Sequence, residues 1–171
     1  MVITIKDENS RFGVRVSAII YNKDMSKIFM QRQGNHDFYM FPGGRLEIHE
    51  DAKTAIIREL DEELGIKEDD IFLKYISESF ISFPNQKYHE IGFYFIITID
   101  EQKYQYFSNN EYNSLDEEND GKSKFRWINL EELNTISIMP YCMKNKLLER
   151  DATESKEIEH IIYREYDSAK N

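Results

Sequence analysis

Apolar and polar residues alternate along two early stretches of the chain. Between positions 14 and 20 the apolar residues recur at every second place, as Val14, Val16, Ala18 and Ile20. This period of two is typical of a β-strand. Residues 22–24 predict a turn, and residues 27–31 predict a second strand. Residues 71–83 and 87–100, rich in isoleucine, phenylalanine and tyrosine and separated by Pro-Asn-Gln, predict a hairpin, and residues 125–128 predict a further strand.

Helical patterning begins at residue 51. Residues 51–64 contain no glycine or proline, and Gly65 stands where a left-handed helix cap belongs. A second helix is predicted from Pro140 to about residue 151, while the tail at 158–166 is ambiguous between strand and helix. Strands and helices in this order predict an α/β domain with a mixed sheet covered by helices.

The first predicted helix has an unusual face. Ala52, Ala55 and Ile56 begin a stripe that should face the core. Helical spacing continues this stripe with Glu59, Glu62 and Glu63. Like charges at this spacing repel one another, and partial burial costs several kcal/mol, by order of magnitude, unless a positive group neutralises them. Carboxylate oxygens suit Mg²⁺ or Mn²⁺, which predicts a cation site.

The alternative is that these glutamates form an ordinary solvated helix face. The Pro42-Gly43-Gly44 segment before the helix favours the cation site, because glycine lets the backbone approach a ligand closely. Gly43 and Gly44 are therefore candidate substrate-binding residues, through their carbonyl oxygens or amides.

Composition narrows the possible functions. The chain has 171 residues and a net charge of −10, which opposes binding to long nucleic acids or anionic membranes. One cysteine, Cys142, excludes an internal disulfide, and Lys6, Asp7 and Glu8 interrupt any signal-peptide core. These features predict a single domain over residues 1–171, in the cytoplasm and without a membrane span.

Residues 44–66 resemble the Nudix box, the signature of the Nudix hydrolase family. Every specified position of the box is filled at the required spacing, by Gly44, Glu50, Arg58, Glu59, Leu60, Glu62, Glu63, Gly65 and Ile66. The resemblance implies an α/β/α sandwich with a mixed β-sheet. It also implies metal-dependent hydrolysis of a phosphoanhydride bond in a nucleoside diphosphate linked to another group.

The resemblance further implies roles for individual residues. Glu59, Glu62 and Glu63, with the Gly44 carbonyl, would bind Mg²⁺ or Mn²⁺. Arg58 would be an orienting residue that pairs with a carboxylate such as Glu50.

The general base lies outside the box in some members of the family. Here the candidates are Glu90, on the second strand of the hairpin, and three loop acids, Glu117, Glu118 and Asp120. Arg15 is a candidate for contact with a substrate phosphate. We expect the aromatic residues near the hairpin, including Phe80, to pack in the core. The alternative is that they stack against the base of a nucleotide.

The predicted function is that of a nucleotide pyrophosphohydrolase. A Nudix-fold binding module that regulates without hydrolysis is the alternative, and the intact acids count against it. Nucleoside triphosphates, nucleotide sugars, ADP-ribose and dinucleoside polyphosphates all remain open as substrates. The net charge disfavours an RNA 5′ end, although a short end is compatible with it. A homodimer is also left open.

Overall fold

The computed structural model describes residues 1–83, 85–100, 107, 111–116, 123–148 and 157–165. Within these residues the strands are β1 (Thr4–Lys6), β2 (Ser10–Asn22), β3 (Lys27–Gln33), β4 (Phe38–Tyr39), β5 (Phe72–Phe83), β6 (Gln86–Ile99), β7 (Tyr112–Asn113), β8 (Ser123–Asn129), β9 (Ser137–Ile138) and β10 (Glu159–Glu165). The helices are α1 (Ala52–Leu64), α2 (Tyr141–Leu148) and a 3-10 helix (Leu130–Thr135).

One mixed sheet organises the fold. Its strand order is β10-β5-β6-β2-β3-β8-β7, and β1 adds to β2. β2 runs parallel to β6, and β10 runs parallel to β5, while β5 and β6 form the predicted antiparallel hairpin. β4 and β9 form a separate parallel pair. The central position of β2 gives it neighbours along its whole length.

Side chains on alternate positions of β2 enter different cores. Val16, Ala18 and Ile20 pack with residues of α1 on one face of the sheet. Ile19 and Tyr21 pack on the other face with residues of the 3-10 helix and α2. We refer to these as the α1 face and the α2 face. The predicted α/β/α sandwich with a mixed sheet is confirmed.

The first helix begins and ends as its sequence predicts. The Asp51 carboxylate accepts hydrogen bonds from the amides of Lys53 and Thr54, both at 3.0 Å. Gly65 adopts a φ of 64° and closes the helix through hydrogen bonds to the carbonyls of Leu60 and Asp61. These caps satisfy backbone groups that the helix itself leaves unpaired.

The structure adds to the sequence-based prediction in two regions. The ambiguous tail forms β10, an edge strand in full register with β5. The second helix covers Tyr141–Leu148, and the predicted continuation to residue 151 lies outside the described residues. No helix in the described part of the chain is long and apolar enough to cross a membrane.

Candidate functional site

The glycine turn lies against β2 as a short extension of the sheet. The amides of Ala18 and Val16 donate to the carbonyls of Pro42 and Gly44, at 2.8 and 2.9 Å. Gly43 has a φ of 132°, and a Cβ there would collide with the Val16 carbonyl. A Cβ at Gly44 would collide with the carboxylate of Glu59. Gly43 is therefore required for the turn to approach β2 this closely, and Gly44 for it to approach Glu59 of α1.

The three glutamates of α1 have different environments. Glu63 is buried, with 6% of its surface exposed. The side chain of Glu59 is 15% exposed, whereas that of Glu62 is 56% exposed. The acidic stripe thus runs from the interior of the protein to the solvent, and it faces the glycine turn at Glu59 and Glu63.

Arg58 links Glu50, Glu59 and Glu62 into one ion-pair network. Its Nε donates to Glu50 at 2.8 Å, and its Nη1 donates to Glu59 at 3.0 Å and to Glu62 at 2.9 Å. The pairing with Glu50 that the family resemblance suggested is therefore present. The guanidinium lowers the pKa of Glu50. Arg58 fixes carboxylates on both sides of itself, while its role in catalysis stays a prediction.

Burial dominates the electrostatics of Glu59 and Glu63. Desolvation raises the pKa of Glu59, against the opposing effect of Arg58. Desolvation also raises the pKa of Glu63 to about 7, with contributions from the charges of Glu59 and Asp116, and Arg15 opposes the rise. Burial therefore disfavours the ionised form of both carboxyls in the protein alone.

Two partners of Glu63 are not apparent from its sequence neighbourhood. Gln31 is 4% exposed, and its Nε2 donates to Ser123 at 3.0 Å and to Glu63 at 3.4 Å. The Gly43 amide donates to the other carboxylate oxygen at 3.4 Å. In the sequence, the only indication of a role for Gln31 is that a polar residue occupies an inward-facing position of a strand. Ser123 gives no such signal.

Arg15 and Glu90 lie across the sheet from the α1 core, beside the glycine turn. Both line a pocket of about 110 Å³ on the α2 face, together with Ser17, Phe41 and Tyr94. The guanidinium of Arg15 donates to the Gly43 carbonyl at 2.6 Å, so it also holds the turn in place. Glu90 forms an ion pair with Arg45 at 3.2 Å. Arg45 was missed in the sequence, because nothing local connects it with Glu90.

The oxygen atoms beside the glycine turn are the type of ligand that a hard divalent cation prefers. Glu59 and Glu63 offer carboxylate oxygens beside a glycine cradle that any Cβ would fill. Within the described residues, however, no group of three or more His, Cys, Asp or Glu side chains is already arranged to hold a metal. Glu59 and Glu62 are turned onto Arg58 instead. Of the other base candidates, Glu117, Glu118 and Asp120 lie outside the described residues.

Short stretches of the chain are similar to curated enzymes. It is 33% identical over 72 residues to an RNA pyrophosphohydrolase of Coxiella burnetii, covering 42% of this chain and 32% of that protein. It is 39% identical over 62 residues to an RNA pyrophosphohydrolase of Legionella pneumophila, covering 36% of this chain and 35% of that protein. The chain thus spans about a third of the length of these relatives.

Solved structures match over most of the chain. A mutator MutT protein from Bacillus halodurans has a TM-score of 0.61 at 17% identity, covering 89% of this chain and 90% of that one. The NUDIX domain of Shewanella oneidensis NrtR, solved in complex with ADP ribose, has a TM-score of 0.58 at 12% identity and covers 87% and 91%. These likenesses establish the fold. The NUDIX domain family model matches residues 11–147, and with the filled box and the sandwich fold this shows that the chain belongs to the Nudix family.

Proposed function

We propose that the protein is a divalent-metal-dependent hydrolase of phosphoanhydride bonds. Its substrate would be a nucleoside diphosphate linked to another group. The observation that carries this proposal is the enclosure of Glu59 and Glu63 against the glycine turn, with the pKa of both carboxyls raised by burial. The names of the curated relatives agree with it.

In the proposed mechanism the acids of α1 and the glycine turn would bind the cation together. Glu59, Glu62, Glu63 and the Gly44 carbonyl would hold Mg²⁺ or Mn²⁺. When bound, such a cation screens the charge of a pyrophosphate and lowers the pKa of a bound water. Arg58 would act as a positioning residue, because it pairs with Glu50, Glu59 and Glu62 rather than facing a pocket.

The pocket on the α2 face would receive the substrate. Arg15 lies at the junction of the turn and the pocket, where its guanidinium would meet a substrate phosphate, and the backbone of Gly43 and Gly44 would contact the substrate at the turn. The carboxylate of Glu90 lines the same pocket. Its ion pair with Arg45 holds the carboxylate at the pocket wall, where it is the proposed general base.

A nucleotide-binding regulator without hydrolysis is the second candidate. The observation that favours it is the fold likeness to the NUDIX domain of NrtR, which was solved with ADP ribose. The complete set of acids in the box favours the enzyme instead. For this chain we further propose a cytoplasmic location, supported by its single cysteine, and we leave a homodimer open.

The test is a hydrolysis panel with identification of products. The purified chain is incubated with Mg²⁺ and each of a nucleoside triphosphate, ADP-ribose, a dinucleoside polyphosphate and a 5′-triphosphorylated oligoribonucleotide. Cleavage of at least one substrate, abolished by EDTA, is expected. Saturable binding of a nucleotide with no turnover on the panel would favour the regulator, and neither binding nor turnover would reject both candidates.

A further inference from the structure

A row of four side chains crosses the sheet at the end remote from the α1 core. Arg164 of β10 pairs in register with Phe80 of β5, Phe80 with His89 of β6, and His89 with Phe12 of β2. Register partners on neighbouring strands share one face of a sheet. We call these residues the aromatic row.

The row is packed side chain against side chain. The His89 ring stacks on Phe80 with centroids 4.3 Å apart and contacts the edge of Phe12 at 5.0 Å. The Arg164 guanidinium lies 4.1 Å from the centroid of Phe80. The Nε2 atom of His89 is buried and has no hydrogen-bond partner among the described residues. His89 therefore contributes its ring to the row, while the charge of the row comes from Arg164.

Polar side chains lie in the next register row. Ser82, Lys87 and Ser10 are cross-strand neighbours on β5, β6 and β2. Together with the aromatic row they line a groove of about 480 Å³. Hydroxyl and ammonium groups thus stand beside ring edges, which carry partial positive charge.

The charge of the groove is opposite to that of the whole chain. None of the residues that line it is acidic, although the net charge of the protein is −10. Within the described part of the chain, neither Lys87 nor Arg164 forms a salt bridge. Glu78, two residues from Phe80, pairs with His160 at 2.9 Å.

The groove and the pocket beside the glycine turn share one lining residue, Ile81, and their other lining residues differ. Phe12 is in step with Val16 along β2, so it belongs to the α1 face, whereas Arg15 and Ser17 line the pocket on the α2 face. A ligand in the groove would leave the proposed hydrolytic site accessible.

We propose that this groove binds the phosphodiester backbone of a single-stranded nucleic acid. Interleaved cationic and aromatic side chains are the composition of surfaces that hold single strands. Arg164 and Lys87 lie on strands separated by β5, and the row spans four strands, or about 14 Å at the usual strand spacing. This spread suits a chain of phosphates better than one free phosphate. The net charge of −10 disfavours binding of a long nucleic acid to the protein as a whole. It is an average over the whole surface and does not describe the local positive charge of this groove.

The experiment measures binding without hydrolysis. A fluorescently labelled single-stranded oligoribonucleotide with a 5′-hydroxyl end is titrated with the full chain in EDTA, and its anisotropy is followed at several salt concentrations. Because this oligonucleotide has no pyrophosphate, its binding is independent of the proposed function. Lys87→Ala/Arg164→Ala should weaken binding about tenfold at low salt and reduce the slope of log affinity against log salt by about 1.4.

A matched control is Lys23→Ala/Lys67→Ala, which removes the same charge from exposed lysines paired with Asp100 and Asp61. It should bind as the wild type does. Lys87→Gln, which keeps most of the side chain and removes only its charge, is a second variant with less effect on the packing of the sheet, and it should also weaken binding. The proposal is overturned by absence of wild-type binding at low salt, by equal losses in the two double variants, or by equally tight binding of polyglutamate. Hydrolysis of a mononucleotide substrate should be the same in both double variants, so failure of the enzyme proposal is seen separately.

Discussion

Glu63 shows how much the environment of a residue adds to its sequence position. Helical spacing places it beside Glu59 and Glu62, and that relation is correct in the structure. Spacing alone does not distinguish the three acids. The burial of Glu63 depends on Gly43 and Gln31, which come from distant parts of the chain, while Glu62 remains exposed. Burial of a single acid is a tertiary property that local patterning cannot supply.

Neutralising the acids tests their assignment. Glu62→Gln and Glu63→Gln should each lower kcat about a hundredfold or more, because each change removes negative charge from the proposed cation site. Steady-state kinetics at saturating Mg²⁺ measure the effect, and circular dichroism checks the fold. Asp61→Asn is the control, since Asp61 lies on the same helix but faces Lys67. Wild-type turnover in both glutamine variants would remove these residues from the site.

The raised pKa of Glu63 predicts a pH dependence of stability. In the folded protein this carboxyl holds its proton up to about pH 7, whereas its reference pKa is 4.5. The folded state therefore binds more protons than the unfolded state in this window, and the free energy of unfolding falls as pH rises through it. Burial causes most of this rise in pKa, the charges of Glu59 and Asp116 add to it, and Arg15 opposes it.

Thermal melts in EDTA at pH 5 and pH 7.5 check this sign. The wild type should melt at a lower temperature at pH 7.5 than Glu63→Gln does, and the two proteins should differ less at pH 5. Mg²⁺ should raise the melting temperature of the wild type chiefly at the higher pH, where the carboxylates are ionised. A wild-type advantage that grows with pH in EDTA would contradict the assignment.

At the scale of elements, the glycine turn is the feature that couples the sheet to α1. Its residues come from a Pro-Gly-Gly segment that the sequence marks as a break, and the backbone of β2 holds it in place. Five of the ten described strands, β2, β3, β5, β6 and β8, follow from the apolar patterning, and both α-helices follow from their composition and capping residues. The tail β10 does not, because its identity as a strand depends on pairing with β5, far away in sequence. The two-residue strands β4, β7 and β9 are too short to carry a period.

A methyl group tests how closely the turn must approach the helix. Gly44→Ala should lower kcat strongly, because its Cβ would occupy the space of the Glu59 carboxylate and displace that side chain. Gly34→Ala is the matched control, since a Cβ there has no atom within 4 Å, although its φ of 54° adds backbone strain. Activity and melting temperature are measured for both. Full activity in Gly44→Ala would show that the Glu59 carboxylate need not stay against the turn.

At the scale of the whole molecule, the sandwich separates two surfaces of different chemistry. The proposed hydrolytic site combines α1, the glycine turn and a pocket on the α2 face. The basic groove lies near the β10 edge and is lined mostly by residues of the α1 face, with Arg11, Ile81 and Tyr88 from the opposite face. The strongly negative total charge describes neither surface. At physiological ionic strength the Debye length is about 8 Å, so a bound ligand interacts mainly with the charged groups near it. Composition predicted the general character of the protein but not this division.

The bond that is broken follows from the same arrangement. If the acids and the glycine turn enclose a diphosphate, water attacks within a pyrophosphate linkage, and a nucleoside monophosphate or diphosphate is one product. A phosphatase that forms a phosphoenzyme would instead need a nucleophilic side chain. The lone cysteine, Cys142, is a poor candidate, because burial raises the pKa of its thiol to about 11. We therefore expect no orthophosphate release from nucleoside monophosphates.

Hydrolysis in ¹⁸O-labelled water identifies the attacked atom. One oxygen from water should appear on a single phosphorus of the products, as detected by mass spectrometry or by the ³¹P isotope shift. AMP and a simple sugar phosphate serve as control substrates and should remain intact. Rapid orthophosphate release from these monoesters, with nucleoside diphosphate linkages untouched, would show that the enclosed carboxylates serve a reaction other than pyrophosphate hydrolysis.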